Sequence, residues 1–103
     1  MEFPDLERAC TIFGLKEKAS YAQIKKRHRE LLHQHHPDHN ADADGETIRL
    51  INEAYAVLEE YCANYRFTFN KEEFLQQNPE ARLRDQFAYD PIWGGAEHNQ
   101  HTE

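Results

Sequence analysis

The sequence predicts an all-helical protein, and three observations carry that expectation. Apolar residues recur at helical spacing in three stretches. Those stretches start and stop at residues suited to helix ends, and the one alternating aromatic run is too short to build a sheet. With 103 residues, 39% of them hydrophobic and 30% charged, the chain suits a single domain with a modest core. No apolar run approaches the roughly 18 residues of a membrane span. The acidic start Met1-Glu2-Phe3-Pro4-Asp5 lacks a basic region followed by an apolar stretch, so no secretory signal is expected and the cytoplasm is the expected compartment.

The first helix is expected from Asp5 to Phe13. Leu6, Ala9, Cys10 and Phe13 lie at i, i+3, i+4 and i+7, Pro4 and Asp5 suit a first turn, and Gly14 suits a stop. Cys10 falls on this stripe and reads as a small buried hydrophobe; two cysteines, Cys10 and Cys62, are too few for a disulfide scaffold. The second helix opens at Ser20, whose spacing from Gln23 is that of a capping box. Ile24, His28, Leu31, Leu32 and His35 then trace one stripe, and Pro37 ends the helix near His36. Residues 37–46 form a polar loop dense in turn formers.

A third helix follows from Glu46 to Tyr61, with Ile48, Ile51, Tyr55, Leu58 and Cys62 on one stripe and Ala54 allowing close approach. Two long helices joined by a short polar loop should pack as an antiparallel hairpin, with the first helix across one side. Beyond Asn64 the pattern changes. Tyr65-Arg66-Phe67-Thr68-Phe69 alternates, Asn70 with Glu73 resembles a capping box before Phe74 and Leu75, and Asn78-Pro79 opens a helix reaching Phe87 with a Glu80–Arg84 pair. Asp90 to Gly95 reads as a turn anchored by Trp93, and residues 96–103 as a disordered tail.

Charge narrows the function. The net charge is −7, yet the second helix holds Lys25, Lys26, Arg27 and Arg29 against Glu30 alone. An acidic chain with one short basic stripe is a poor general nucleic-acid binder and a plausible partner for one acidic protein surface. That stripe ends at His36-Pro37-Asp38, a polar loop follows, and a helix returns through Asn52-Glu53-Ala54-Tyr55-Ala56-Val57-Leu58.

With this arrangement, residues 5–65 resemble the J-domain of the DnaJ family. The His-Pro-Asp tripeptide stands at 36–38 with Asn40 following, Phe13-Gly14-Leu15 resembles the family's Leu-Gly-Val end of the first helix, and Ile24, Leu31, Ile48, Ile51, Tyr55 and Leu58 match its core positions. The resemblance implies a co-chaperone, not an enzyme, that docks on a DnaK-type chaperone and accelerates that partner's ATP hydrolysis. Lys25, Lys26 and Arg29 would then supply the positive face, with Asn40 beside the motif. Asp38 would accept charge-assisted hydrogen bonds from a partner arginine, Pro37 would keep the turn rigid, and His36 would orient it. The chain departs from the family pattern at His28, where tyrosine is usual, at Glu30, where a basic residue is usual, and at His39, where arginine often follows. Because His28 and His39 replace residues of the docking face, mild acidification is expected to raise partner affinity.

Other chemistries are less well supported. His33, His35, His36 and His39 invite a metal-site reading, but the first three cannot share one helical face and no metal-ligand spacing supports them. His35 is expected to pack on the third helix. A Cys–His nucleophile is disfavoured by the apolar setting of Cys10. The aromatics Tyr65, Phe67 and Phe69 could stack bases, but the acidity around them argues otherwise. No cofactor, metal, catalytic residue, nucleic acid or membrane is expected, and the chain is expected to be a monomer. Two functional classes stand: a co-chaperone for a DnaK-type chaperone, and a J-fold interaction module serving protein assembly without ATPase stimulation. The expected domains are a J-domain over residues 1–65, an extension over 66–95 packed on it, and the tail. Neither the chaperone nor the client can be read from the residues.

Overall fold

The computed structural model describes residues 1–38, 40–41 and 44–88. It contains five helices over them: α1 (Phe3–Phe13), α2 (Tyr21–Gln34), α3 (Gly45–Ala63), α4 (Lys71–Gln77) and α5 (Pro79–Ala88). Among the described residues there is no strand, and no helix is long and apolar enough to cross a membrane. The chain divides into two compact units at Tyr65.

Local hydrogen bonding sets each helix end in the first unit. Helix α1 starts two residues before Asp5 because the Glu2 backbone N–H donates to the Asp5 carboxylate at 2.8 Å. That bond, with Arg8 beside it, holds the Asp5 carboxyl below its ordinary pKa. At the other end Gly14 takes φ 68°, a left-handed conformation that costs glycine little. Its N–H reaches Thr11 O at 3.2 Å and the Leu15 N–H reaches Cys10 O at 2.9 Å, the paired bonds of a Schellman ending. In α2 both halves of the capping box form: Gln23 N–H donates to Ser20 Oγ at 3.1 Å, and Ser20 N–H to Gln23 Oε1 at 2.8 Å. Helix α3 begins one residue before Glu46, because Asp44 accepts the Thr47 N–H at 2.8 Å, and it continues past Tyr61 to Ala63.

Two side-chain contacts give the hairpin its direction and register. The Tyr21 hydroxyl donates to Glu59 Oε2 at 2.9 Å, and His28 Nε2 lies 2.9 Å from Asn52 Oδ1. Seven residues forward on α2 correspond to seven residues back on α3, so the helices run antiparallel in the expected way, with α1 packed mainly against α3. The interior consists of Ala9, Phe13, Ile24, Leu31, Ile51, Ala54 and Leu58, with Cys10, Tyr55 and Cys62 at its edge. Phe13, the aromatic residue among them, is 1% exposed.

The second unit is described through Ala88. Asn70 caps α4 by accepting the Glu73 N–H at 2.8 Å, and Asn78 Nδ2 donates to Phe74 O at 2.9 Å, closing the same helix. Among the described residues the expected Glu80–Arg84 pair does not form; Lys71 Nζ pairs with Asp85 Oδ1 at 3.0 Å instead. None of residues 66–88 is buried. Tyr89, the Asp90–Gly95 turn with Ile92 and Trp93, and the tail lie outside the described residues.

Candidate functional site

Helix α2 carries two chemically different faces. Lys25, Lys26 and Arg29 are exposed, as the sequence suggests, with the Lys25 ammonium 5.4 Å from the centre of the Tyr21 ring. Arg27 does not join them. Its Nε donates to the carbonyl of Phe13 at 3.1 Å, and its guanidinium also lies 3.5 Å from Glu30. The last turn of α1 has no basic residue of its own, so Arg27 supplies a cation to carbonyl groups that the helix leaves unpaired. Glu30, one of the departures from the family pattern, therefore has Arg27 as a counter-charge.

His28 overturns an expectation. It does not belong to the outward face, because its ring lies flat on Tyr55, with centroids 3.8 Å apart and planes 5° apart, while Phe13 stacks at 6.1 Å. The seam between α2 and α3 thus holds a planar stack tied by the bond to Asn52. A second tie lies two turns away, where Tyr21 bonds with Tyr55 and Glu59; both interactions stabilise the neutral phenol and raise its pKa. On the outer side of α3, Arg49 is held by Glu46 and Glu53, so that cation is already compensated.

After α2 the chain turns sharply through His36-Pro37-Asp38. Pro37 fixes its own φ and offers no N–H. The Asp38 N–H donates to His36 Nδ1 at 3.1 Å, and the Asn40 N–H donates to the His36 carbonyl at 2.9 Å. A nitrogen that accepts a hydrogen bond carries no proton, so the neutral His36 ring holds its proton on Nε2. The Asp38 carboxylate lies 3.6 Å from the same Nδ1, and the His36 and Asp38 side chains are 54% and 81% exposed. Among the described residues the nearest charge partner of Asp38 is therefore within the tripeptide itself, whereas the sequence alone suggested none. Asn40 is half-buried, and His39 lies outside the described residues.

The base of this loop is held from both sides. His35 caps α2 and is half-buried. Asp44 caps α3, and its carboxyl pKa is lowered by the Thr47 backbone N–H first, then by the Thr47 hydroxyl, with the charge of His35 adding to the effect. Sequence reasoning missed two residues near the site. Arg27 bridges elements 14 residues apart, which no local pattern reports. His33 is exposed one turn beyond Arg29 and two turns beyond Lys26, between the basic face and the turn, and helical register alone would have placed it there.

Comparison with known proteins adds the following. The family model described as the DnaJ domain matches residues 10–65, just over half of the chain. The chain is 49% identical over 47 residues to DnaJ homolog subfamily A member 4 of Homo sapiens, an alignment covering 46% of this chain and 12% of that protein. It is 50% identical over 48 residues to Chaperone protein DnaJ of Methanosarcina acetivorans, covering 46% and 13%. It is 45% identical over 54 residues to DnaJ homolog subfamily C member 5B of Homo sapiens, covering 50% and 27%. The matched stretch thus spans only about an eighth to a quarter of these relatives. No solved structure matches the chain.

Proposed function

The chain belongs to the DnaJ domain family, and from that premise we propose that it is a co-chaperone that docks on a DnaK-type chaperone and stimulates its ATP hydrolysis. The docking surface in this reading is the outward face of α2 with Lys25, Lys26 and Arg29, continued by His36, Pro37, Asp38 and Asn40. The observation that carries it is the placement of an 81% exposed carboxylate, Asp38, directly after that basic face in a turn braced by its own hydrogen bonds. The basic residues steer the encounter with an acidic surface, and Asp38 accepts charge-assisted hydrogen bonds from a cationic group there. Bracing the turn before binding reduces the entropy lost on docking. The ATP chemistry belongs to the partner.

Single-turnover ATP hydrolysis by a DnaK-type chaperone, with and without this protein, tests the reading. Stimulation by the parent and its loss in Asp38→Asn, at unchanged circular dichroism, is the expected outcome. Stimulation retained in the variant removes Asp38 from the mechanism, and a parent that never stimulates leaves the J-fold as an assembly module.

We further propose that residues 66–95 brace the J-domain. The segment holds Phe67, Phe69, Phe74, Leu75, Leu83 and Phe87, more apolar sequence than a small segment leaves in water at no cost. Truncation after Asn64 is expected to lower the melting temperature, and an unchanged melting temperature refutes the brace.

A further inference from the structure

The His36-Pro37-Asp38 turn contains a group whose hydrogen-bonding role reverses on gaining a proton. His36 Nδ1 accepts the Asp38 backbone N–H at 3.1 Å, and the Asp38 carboxylate lies 3.6 Å from the same nitrogen. Both of these groups come from one residue, but they demand opposite things of the nitrogen. The amide needs an unprotonated acceptor, and the carboxylate is best served by a protonated donor. The neutral ring satisfies the first and leaves the carboxylate 81% exposed.

We propose that the turn is a proton-operated latch in which protonation of His36 withdraws the Asp38 carboxylate from the docking partner. A proton taken from solvent adds to Nδ1, and no covalent bond other than that N–H forms. The hydrogen bond from the Asp38 N–H is lost, because two donors then face each other. The Nδ1–H turns to the carboxylate, and a contact of 3.6 Å shortens into an ion-paired hydrogen bond. A cationic group of the partner must now compete with the imidazolium for the same oxygens. Both side chains are exposed, so the latch weakens docking without abolishing it.

Several ionisable groups of the described residues surround the latch. Among the described residues of the turn it is Asp38, and the titratable His39 follows it in the sequence. On the last turns of α2 they are Arg29, Glu30, His33 and His35, and at the start of α3 they are Asp44 and Glu46. Asp44 is engaged with Thr47, and Glu46 with Arg49. Of the two histidines whose positions suggested a rise in affinity on acidification, His28 lies on Tyr55 at the seam and His39 lies outside the described residues. The latch reverses the sign of that expectation: affinity falls as His36 takes up its proton.

The latch rests on the reading that Asp38 is what the partner engages, so its test begins on the free protein, where no partner enters. Nitrogen-15 spectra of the histidine rings are expected to place the His36 proton on Nε2 at pH 7.5. The Asp38 amide proton is expected to shift with the same midpoint as the His36 ring. A ring protonated on Nδ1 at pH 7.5, or an Asp38 amide that ignores the His36 titration, overturns the latch whatever the chaperone does. Affinity for a DnaK-type chaperone is then measured at pH 7.5 and 6.0. A drop is expected, no larger than the factor by which the neutral fraction of the His36 ring, read from its own titration, falls over that interval. The drop should persist in His33→Gln and in His39→Gln. Unchanged or rising affinity at pH 6.0, or a drop that vanishes in either variant, also overturns the latch. A parent that does not bind the chaperone at all, with the titration as described, instead refutes the proposed function.

Discussion

The two faces of α2 contain similar residues used in opposite ways. On the inward side Ile24 and Leu31 are buried, His28 lies on Tyr55, and Arg27 holds the end of α1. On the outward side Lys25, Lys26 and Arg29 stand in solvent beside an exposed turn. A basic residue on this helix therefore means scaffold at one position and surface two positions later, and the helical angle separates the two roles. The inward face determines whether the turn exists in its braced form, and the outward face is available for a partner. Substitutions on the two sides should separate stability from binding.

The largest effect expected is on the inward side. Leu31 is 6% exposed and meets the hairpin core, so Leu31→Ala removes buried methyl groups and leaves a cavity. The cost should be about 2–4 kcal/mol, or on the order of 10–20 °C in melting temperature for a domain of this size. Stimulation per folded molecule, measured well below the melting transition, should stay near the parent value. Thermal melts followed by circular dichroism, paired with the ATPase assay, separate the two. A parent-like melting temperature would mean that the inward face is not what holds the hairpin.

The second effect is on the outward side. Arg29→Glu reverses a charge on the exposed face, and association with a DnaK-type chaperone at low salt should slow about tenfold. The salt dependence should flatten, because screened long-range steering is what the change removes. Melting should shift by no more than about 0.5 kcal/mol. Stopped-flow association across a salt series checks this, and an unchanged salt slope would detach the basic face from docking.

Most of the scaffold was legible in the sequence because its determinants are local. Ser20 with Gln23, Gly14 after Phe13, and Asn70 before α4 act within four residues, and all three form the expected ends. The hydrophobic stripes hold as well, since Ile24, Leu31, Ile51 and Leu58 are all buried. The turn at 36–38 was legible as a motif, but its internal bonds were not, because they depend on which ring nitrogen of His36 faces the chain. Arg27 was hidden because its partner is a backbone carbonyl on another helix. His28 is the most instructive residue. Its helical spacing puts it on the buried stripe with Ile24 and Leu31, whereas the family pattern suggests a docking role, and the structure follows the spacing. Register is a property of the backbone and is not altered by which side chain stands at a position.

The smallest effect expected concerns acid, and it isolates a contact that serves the scaffold alone. Asp44 caps α3, and the Thr47 N–H at 2.8 Å is the main reason its carboxyl pKa is lowered on folding. A carboxyl with a lower pKa in the folded state contributes stability that is present above the unfolded value and is lost as pH falls through the folded one. The loss therefore sets in below about pH 4, near the reference carboxyl value. Asp5 and Glu46, lowered by the Glu2 backbone N–H and by Arg49 respectively, act in the same direction, so Asp44 accounts for only part of the slope. Asp44→Asn separates that part. Asparagine is as good a cap as aspartate, so its side-chain oxygen can still accept the Thr47 N–H, but it has no charge to lose. At pH 7 the variant should melt within a few degrees of the parent, and the fall in melting temperature between pH 5 and pH 3 should be shallower than in the parent. Stimulation at pH 7 should not change, since the substitution leaves the outward face of α2 and the Asp38 carboxylate as they are. Lost stimulation in a variant that melts like the parent would mean that the charge at the base of the loop reaches the turn, and the two faces of α2 could no longer be treated as separate.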